Sequence, residues 1–268
     1  SASSSCVPFV LLMIHFHFAN FARRFVQRIP LLISAALVAV VIHDAFAHPL
    51  RCVALLLLST CALFPPFLAR RRLKKIMLSG DVAKVLSIWL PAARSHPDHD
   101  TAEPLVAATA FVAYGWVSEA RNQLARVGCK LSSTAAMEHR LFVETLIEAF
   151  DGDREQAVHL ANSLASLPLP EVDSGLKNQV ILLRCSLVAL ARAFAHCSHD
   201  GDLDTLVKAS NNSPLVSWAM RYAAAIVALD RGDVSKVPPL LNGAPSWPND
   251  SMFRAFHDEI SARIESRQ

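Results

Sequence analysis

The side chains that could do chemistry fall in three groups. "HPDHD", His96 to Asp100, offers two imidazoles and two carboxylates within five residues, donor types that can hold a divalent cation. "HCSH", His196 to His199, offers two imidazoles and a thiol. HPDHD, however, lies in a Pro-broken inter-repeat loop, and HCSH has three possible ligands where a structural zinc site needs four with paired spacing. The third group lies in apolar sequence: His15, His17, Asn20, Ser34, His43, Asp44, Ser59 and Cys61. Polar groups inside a membrane span are costly and often mark proton relays or catalytic sites. Serine and cysteine, however, can bond to their own helix, and His43 and Asp44 fall near a turn that water can reach. The chain has no G-x-x-x-x-G-K phosphate cradle, no G-x-G-x-x-G and no H-E-x-x-H. The expectation is a non-enzyme without metal or cofactor, in which HPDHD is a solvated turn and HCSH a helix end.

The elements that carry these groups divide the chain. Over 268 residues 53% are apolar and 18% charged, greasy for a soluble protein. The excess is concentrated at the front. Three apolar runs follow one another: Val7–Ala22, Ile29–Ala47 and Cys52–Ala69. A helix needs about 20 apolar residues to span a bilayer. The second and third runs qualify, and His48-Pro49 between them makes a turn, so residues 29–69 read as a transmembrane helical hairpin. Residues 1–28 carry a shorter apolar helix, either a third span or an interfacial helix. Basic residues prefer the cytoplasmic side. Arg23, Arg24 and Arg28 precede the hairpin, and a cluster at residues 70–75, with Arg70, Arg71, Arg72, Lys74 and Lys75, follows it. Both ends of the hairpin are then cytoplasmic, and the cluster faces the lipid surface. Near a bilayer each such residue adds about 1 kcal/mol of attraction to anionic lipid. The chain begins at Ser1 rather than Met, which fits a processed product or a fragment.

Beyond Lys75 the composition changes. That part holds every acidic residue but Asp44, 22 in all, against 17 of the 26 basic ones. An acidic body lacks the clustered basic face that nucleic-acid binding requires. Six cysteines, Cys6, Cys52, Cys61, Cys129, Cys185 and Cys197, form no C-x-x-C pair, so reduced and mostly buried thiols are expected. Glycine breaks recur at Gly80, Gly115, Gly152, Gly201 and Gly232, at intervals of 35, 37, 49 and 31 residues. Five residues after each stands an apolar residue: Val85, Ala120, Ala157, Leu206 and Val237. A helix runs into glycine, which accepts positive φ cheaply. The next Asp or Ser caps a second helix. Pro97, Pro168 and Pro248 then block continuation. Around Gly152 the 3.6-residue period is explicit, with Leu141, Val143, Leu146, Ile147 and Phe150 before it and Ala157, Leu160, Ala161, Leu164 and Leu167 after.

"GDREQAVHLANSLASLP", with Ala157 and Pro168 near the family's small residue and terminal proline, resembles the second helix of the tetratricopeptide (TPR) repeat. The resemblance covers about Leu73 to Arg267 and implies an all-α, TPR-like helical-hairpin solenoid over residues 76–268, preceded by two or three transmembrane helices. The family's first-helix aromatic is missing from several units, and the 49-residue interval holds one long helix, Gly175 to Cys197. "DSMFRAFHDEISARIESRQ" reads as a polar-faced terminal cap. The order hairpin, basic cluster, repeats is similar in layout to the HemY-like inner-membrane proteins.

A solenoid offers a groove lined by the first helix of each unit. Arg140, Glu144, Arg184, Arg221 and Tyr222 are the residues expected to face a peptide or partner helix there, while Trp89, Trp116 and Trp218 belong to the core. The functional expectation is a scaffold anchored in an inner or plasma membrane, its cytoplasmic repeats binding a protein or peptide. The alternative is a regulatory or repeat-bearing part of a membrane enzyme or transporter that uses the polar intramembrane residues.

Overall fold

In the computed structural model, residues 68–69, 71–127, 134–170 and 174–266 are described. The three apolar runs, their polar residues and Arg70 lie outside these residues, apart from positions 68 and 69. Among the described residues every regular element is helical, and none is a helix long and apolar enough to cross a membrane. The chain is all-α. Helical residues 71–78 lead into α1 (Val82–Arg94), α2 (His99–Ala113), α3 (Val117–Arg126), α4 (Thr134–Asp151) and α5 (Arg154–Ser166). These are followed by α6 (Ser174–Phe194), α7 (Asp202–Asn212), α8 (Ser217–Asp230), a 3₁₀ turn (Val234–Lys236), α9 (Val237–Leu241) and α10 (Met252–Glu265).

Within residues 76–268 the packing is regular. Helices α2, α4, α6 and α8 form a continuous row, each against the next. Helices α3, α5 and α7 each pack against the row helix before and the row helix after. The residue five positions after each glycine break is the packing point. Val85, Ala120, Ala157, Leu206 and Val237 are all within 1% of full burial. A small or compact side chain there lets the second helix approach its partner closely, as the sequence pattern requires.

The breaks themselves do not all work in one way. Gly80, Gly115, Gly201 and Gly232 have positive φ, as a helix-ending glycine should. Gly152 does not, and a different constraint fixes it. A Cβ at Gly152 would collide with Glu148 Oε2 and lie 2.8 Å from Glu148 Cα. The Glu148 carboxylate passes beneath the turn to accept the Asp153 N–H at 2.9 Å. Gly152→Ala must push that carboxylate away, so we expect a loss of about 1–2 kcal/mol in unfolding free energy, from the lost bond and the displaced turn. Urea titration of both proteins measures it, and an unchanged midpoint would show that the turn relaxes at no cost.

Capping follows the sequence rule at two breaks only. Asp81 accepts from Lys84 N–H at 3.1 Å, and Asp153 accepts from Glu155 and Gln156 N–H at 2.9 and 3.1 Å. After Gly201 the expected cap, Asp202, instead turns inward. It is buried, accepts from Arg192 Nε at 3.0 Å and from His199 N–H at 2.8 Å, and so ties α6 to α7. A charged group at that depth is stabilised by its ion pair rather than by a helix end.

His139 on α4 faces Thr109 on α2, with the ring nitrogen Nε2 bonded to the Thr109 hydroxyl, which also donates to Leu105 O at 2.8 Å. Complete burial lowers the imidazole pKa to about 3. The folded state thus holds His139 neutral, while the unfolded chain takes up a proton below its ordinary value near 6.5. Stability is fully present above pH 6.5 and is lost as pH falls toward 3, because the unfolded state binds the extra proton. Between pH 6.5 and 5 the loss is about 2 kcal/mol at 1.4 kcal/mol per pH unit. Urea unfolding at pH 7 and 5 should show that difference, reduced in His139→Leu; an identical pH dependence in both would remove His139 as its source.

Candidate partner-binding site

Three of the four row helices carry an aromatic side chain at or beside their C-terminal end, and α8 carries two in its first half. Tyr114 follows the last residue of α2, Phe150 precedes the last residue of α4, Phe194 ends α6, and Trp218 and Tyr222 lie on one face of α8. All five are buried. The chain's own C-terminal segment lies across them. Phe253 stands 5.4 Å from Phe150 and 5.1 Å from Tyr222, centroid to centroid. Phe256 stands 5.0 Å from Phe194 and 5.9 Å from Phe150. Trp247 stands 6.1 Å from Trp218 and 6.5 Å from Tyr114. Many of these pairs are edge-to-face, the arrangement that aromatic quadrupoles favour.

Polar contacts fix the register of this segment. Tyr222 Oη accepts from Trp247 Nε1 at 2.7 Å and contacts His257 Nδ1 at 3.3 Å. Ser251 Oγ donates to Tyr114 O at 2.7 Å, and Met252 N–H donates to Gly115 O at 2.9 Å. Gly115 combines φ +77° with a close approach: a Cβ there would lie 2.8 Å from Ser251 Oγ and 3.0 Å from Phe253 N. Trp218 Nε1 and the Tyr114 hydroxyl donate in turn to Leu78 O at 3.0 Å and Met77 O at 2.7 Å. Burial raises the phenol pKa of both Tyr114 and Tyr222 above the usual value, so both hydroxyls stay protonated. At the far end Arg263 donates to Asp230 at 3.0 Å, and Asp230 also pairs with His196 Nδ1 at 2.7 Å.

The terminal segment is therefore more than a cap on the last helix pair. Its polar face, with Arg254 and Asp258, does meet solvent. Its other face, Phe253, Phe256 and Ile260, is buried across the ends of several row helices. Of the residues expected in a partner groove, it covers Tyr222 alone.

The five residues expected in one groove fall in three places. Arg140 and Glu144 come together, Nε to carboxylate 2.7 Å, in a cleft of about 400 Å³ between α3, α4 and α5. Leu124, Ile147 and Leu160 give that cleft an apolar floor, and Arg121, bonded to Asp151 at 3.0 Å, stands on its wall. On α4 these residues point away from Phe142, Leu146 and Phe150, so the cleft is on the outer side. Tyr222 is part of the inner aromatic row. Arg221 lies with its guanidinium 4.8 Å over the Trp218 ring and donates to Asn242 O at 3.3 Å. Arg184 is only 4% exposed. It donates to Glu138 at 2.6 Å and to the carbonyls of Leu167 and Pro168 at 2.6 and 3.3 Å, holding the α5–α6 connection in place.

Arg71, Arg72, Lys74 and Lys75 are exposed on the helical residues 71–78. His96 and His99 are apart in role: His96 Nδ1 accepts from Asp98 N–H at 3.2 Å, while His99 opens α2 beside Asp100. Among the described residues no three His, Cys, Asp or Glu side chains are grouped to hold a metal ion. Cys185 and Cys197 are free and exposed, contrary to the expected burial, because each lies on the solvent side of its segment. Trp218 is core, whereas Trp89 and Trp116 are half-buried.

Sequence reasoning missed Tyr114, Phe150 and Phe194 as a set, although the signal was present. Tyr114 and Phe150 stand one and two residues before a glycine break, and Phe194 ends the helix before the next. Compared with known protein families, curated proteins and solved structures, the chain matches none.

Proposed function

We propose that this chain is a membrane-anchored scaffold whose TPR-like repeats bind a protein partner or peptide on the cytoplasmic side. The observation that carries the reading is the aromatic row. Successive helices each present a ring to a helix lying across them, the helix-in-groove mode of recognition. The outer cleft with Arg140 and Glu144 adds a second surface where charged side chains rim an apolar floor. The apolar runs before residue 70 supply the anchor in this reading, and exposed Arg71, Arg72, Lys74 and Lys75 supply attraction to anionic lipid.

Two measurements test it. Alkaline carbonate extraction of host membranes should leave the chain in the pellet; release into the supernatant would contradict the anchor. Photo-reactive side chains at Met137, exposed beside Arg140, and at Asn249, exposed in the terminal segment, should crosslink to one discrete protein in the native host. No protein adduct from either position would contradict the scaffold.

A further inference from the structure

The geometry points to the C-terminal segment as an intrachain ligand: residues 245–265 fill the helix-binding groove of the repeats, and the partner that groove fits is an amphipathic helix with the same aromatic spacing. This inference rests on the scaffold reading and states what controls its inner site.

The segment is built like a ligand. It begins after an exposed connection, Asn242 and Gly243, where Gly243 has nothing within 4 Å of a notional Cβ. Its anchors are Trp247, Phe253, Phe256 and Ile260, the last three at i, i+3 and i+7 on one face of α10. That is the spacing by which a single helix seats itself in a groove. The receptor is contributed by separate helix pairs up to 137 residues away in sequence, as the Ser251–Tyr114 bond shows. Only α8, of all the row helices, packs extensively against the backbone of α10; the contacts with α4 and α6 are made by ring side chains. A groove read by ring insertion does not require that the inserted helix belong to the same chain.

Tethering sets the competition. A segment on a short linker has an effective concentration in the millimolar range, so a partner supplied in solution meets a groove already taken. The apparent affinity of the intact chain for such a helix is lowered by the fraction of time the groove is vacant. Partner binding then demands either a tighter helix or release of the polar latch, Arg263 to Asp230 and Asp230 to His196.

The test uses the full chain, purified in detergent, with a specific protease site inserted between Asn242 and Gly243. After cleavage, a fluorescently labelled peptide of residues 243–268 should exchange into the protein with micromolar or tighter affinity. The uncut protein should bind it at least a hundredfold more weakly. A peptide carrying both Phe253→Ala and Phe256→Ala should compete at least a hundredfold less well than the unmodified one. Two results would overturn the inference. The cleaved protein could lose its helical circular dichroism as the tail departs, which would make the segment an inseparable part of the core. Alternatively the tail could stay in place with no labelled peptide entering at large excess. The first result would also remove the aromatic row as a partner site, and the scaffold reading would then stand or fall on the outer cleft, which crosslinks from Met137, exposed beside Arg140, read independently.

Discussion

Phe253→Ala is expected to lower the unfolding free energy of the full chain by about 3–5 kcal/mol, the usual cost of removing a fully buried phenyl ring. The ring is 0% exposed and has Phe150, Tyr222, Trp247 and Phe256 as neighbours, with centroid distances from 5.0 to 6.2 Å. Phe150 and Tyr222 are held by backbone far from Phe253 in sequence, so the walls cannot collapse together to refill the space. For a repeat unit of this size the loss corresponds to a melting temperature lower by about 10 °C. Phe111→Ala on α2, half-buried and outside the aromatic row, serves as the comparison and should cost less than half as much. Equal effects at the two positions would mean that the terminal helix contributes no special packing.

The second large effect is expected at Arg184. Arg184→Met removes the donor for Glu138 and for the carbonyls of Leu167 and Pro168 in one step. Breaking a buried ion pair on one side is expected to cost about 3–5 kcal/mol, because the remaining charge stays desolvated and unpaired. Glu138 is 17% exposed at its side chain, so part of that penalty is relieved by water and the lower end of the range applies. Replacing both members, Arg184→Met with Glu138→Leu, should recover a large part of the loss, since a well-packed apolar pair avoids the unpaired charge. Denaturant titration of the two single variants and the double variant gives the coupling directly. If Arg184→Met alone were within 0.5 kcal/mol of the parent, a figure about that of an ordinary surface substitution, Arg184 would be a solvated side chain after all.

Both residues show where sequence pattern ends. The period and the glycine breaks located the helix pairs, because those features are local: a turn, a cap, and a small residue at a close crossing. Val85, Ala120, Ala157, Leu206 and Val237 are buried for that reason. Local pattern could not separate a groove residue from a core residue on the same helical stripe. Arg140 and Arg184 look alike in sequence, yet one rims an open cleft and the other is enclosed by a glutamate 46 residues away and by two loop carbonyls. The terminal helix shows the same limit. Arg254, Asp258, Glu259 and Arg263 make one face polar, and nothing nearby in sequence says that the opposite face meets Phe150 and Phe194. At Gly152 the glycine was legible but its reason was not, since the constraint is the Glu148 side chain rather than φ.

The charged surface pairs carry little of this. Arg94–Glu103 and Lys84–Asp81 lie at the surface, where water screens an ion pair strongly. The helix pairs stack on one another, and the aromatic segment is laid across α4, α6 and α8.

Hydrogen exchange in the full chain tests that claim most directly. The amides of residues 252–260, including the Met252 N–H bonded to Gly115 O, should exchange at least about a thousandfold more slowly than in an isolated peptide, as buried helical amides do. Rapid exchange across residues 245–260, with α4, α6 and α8 still protected, would show that the terminal helix does not occupy the aromatic row.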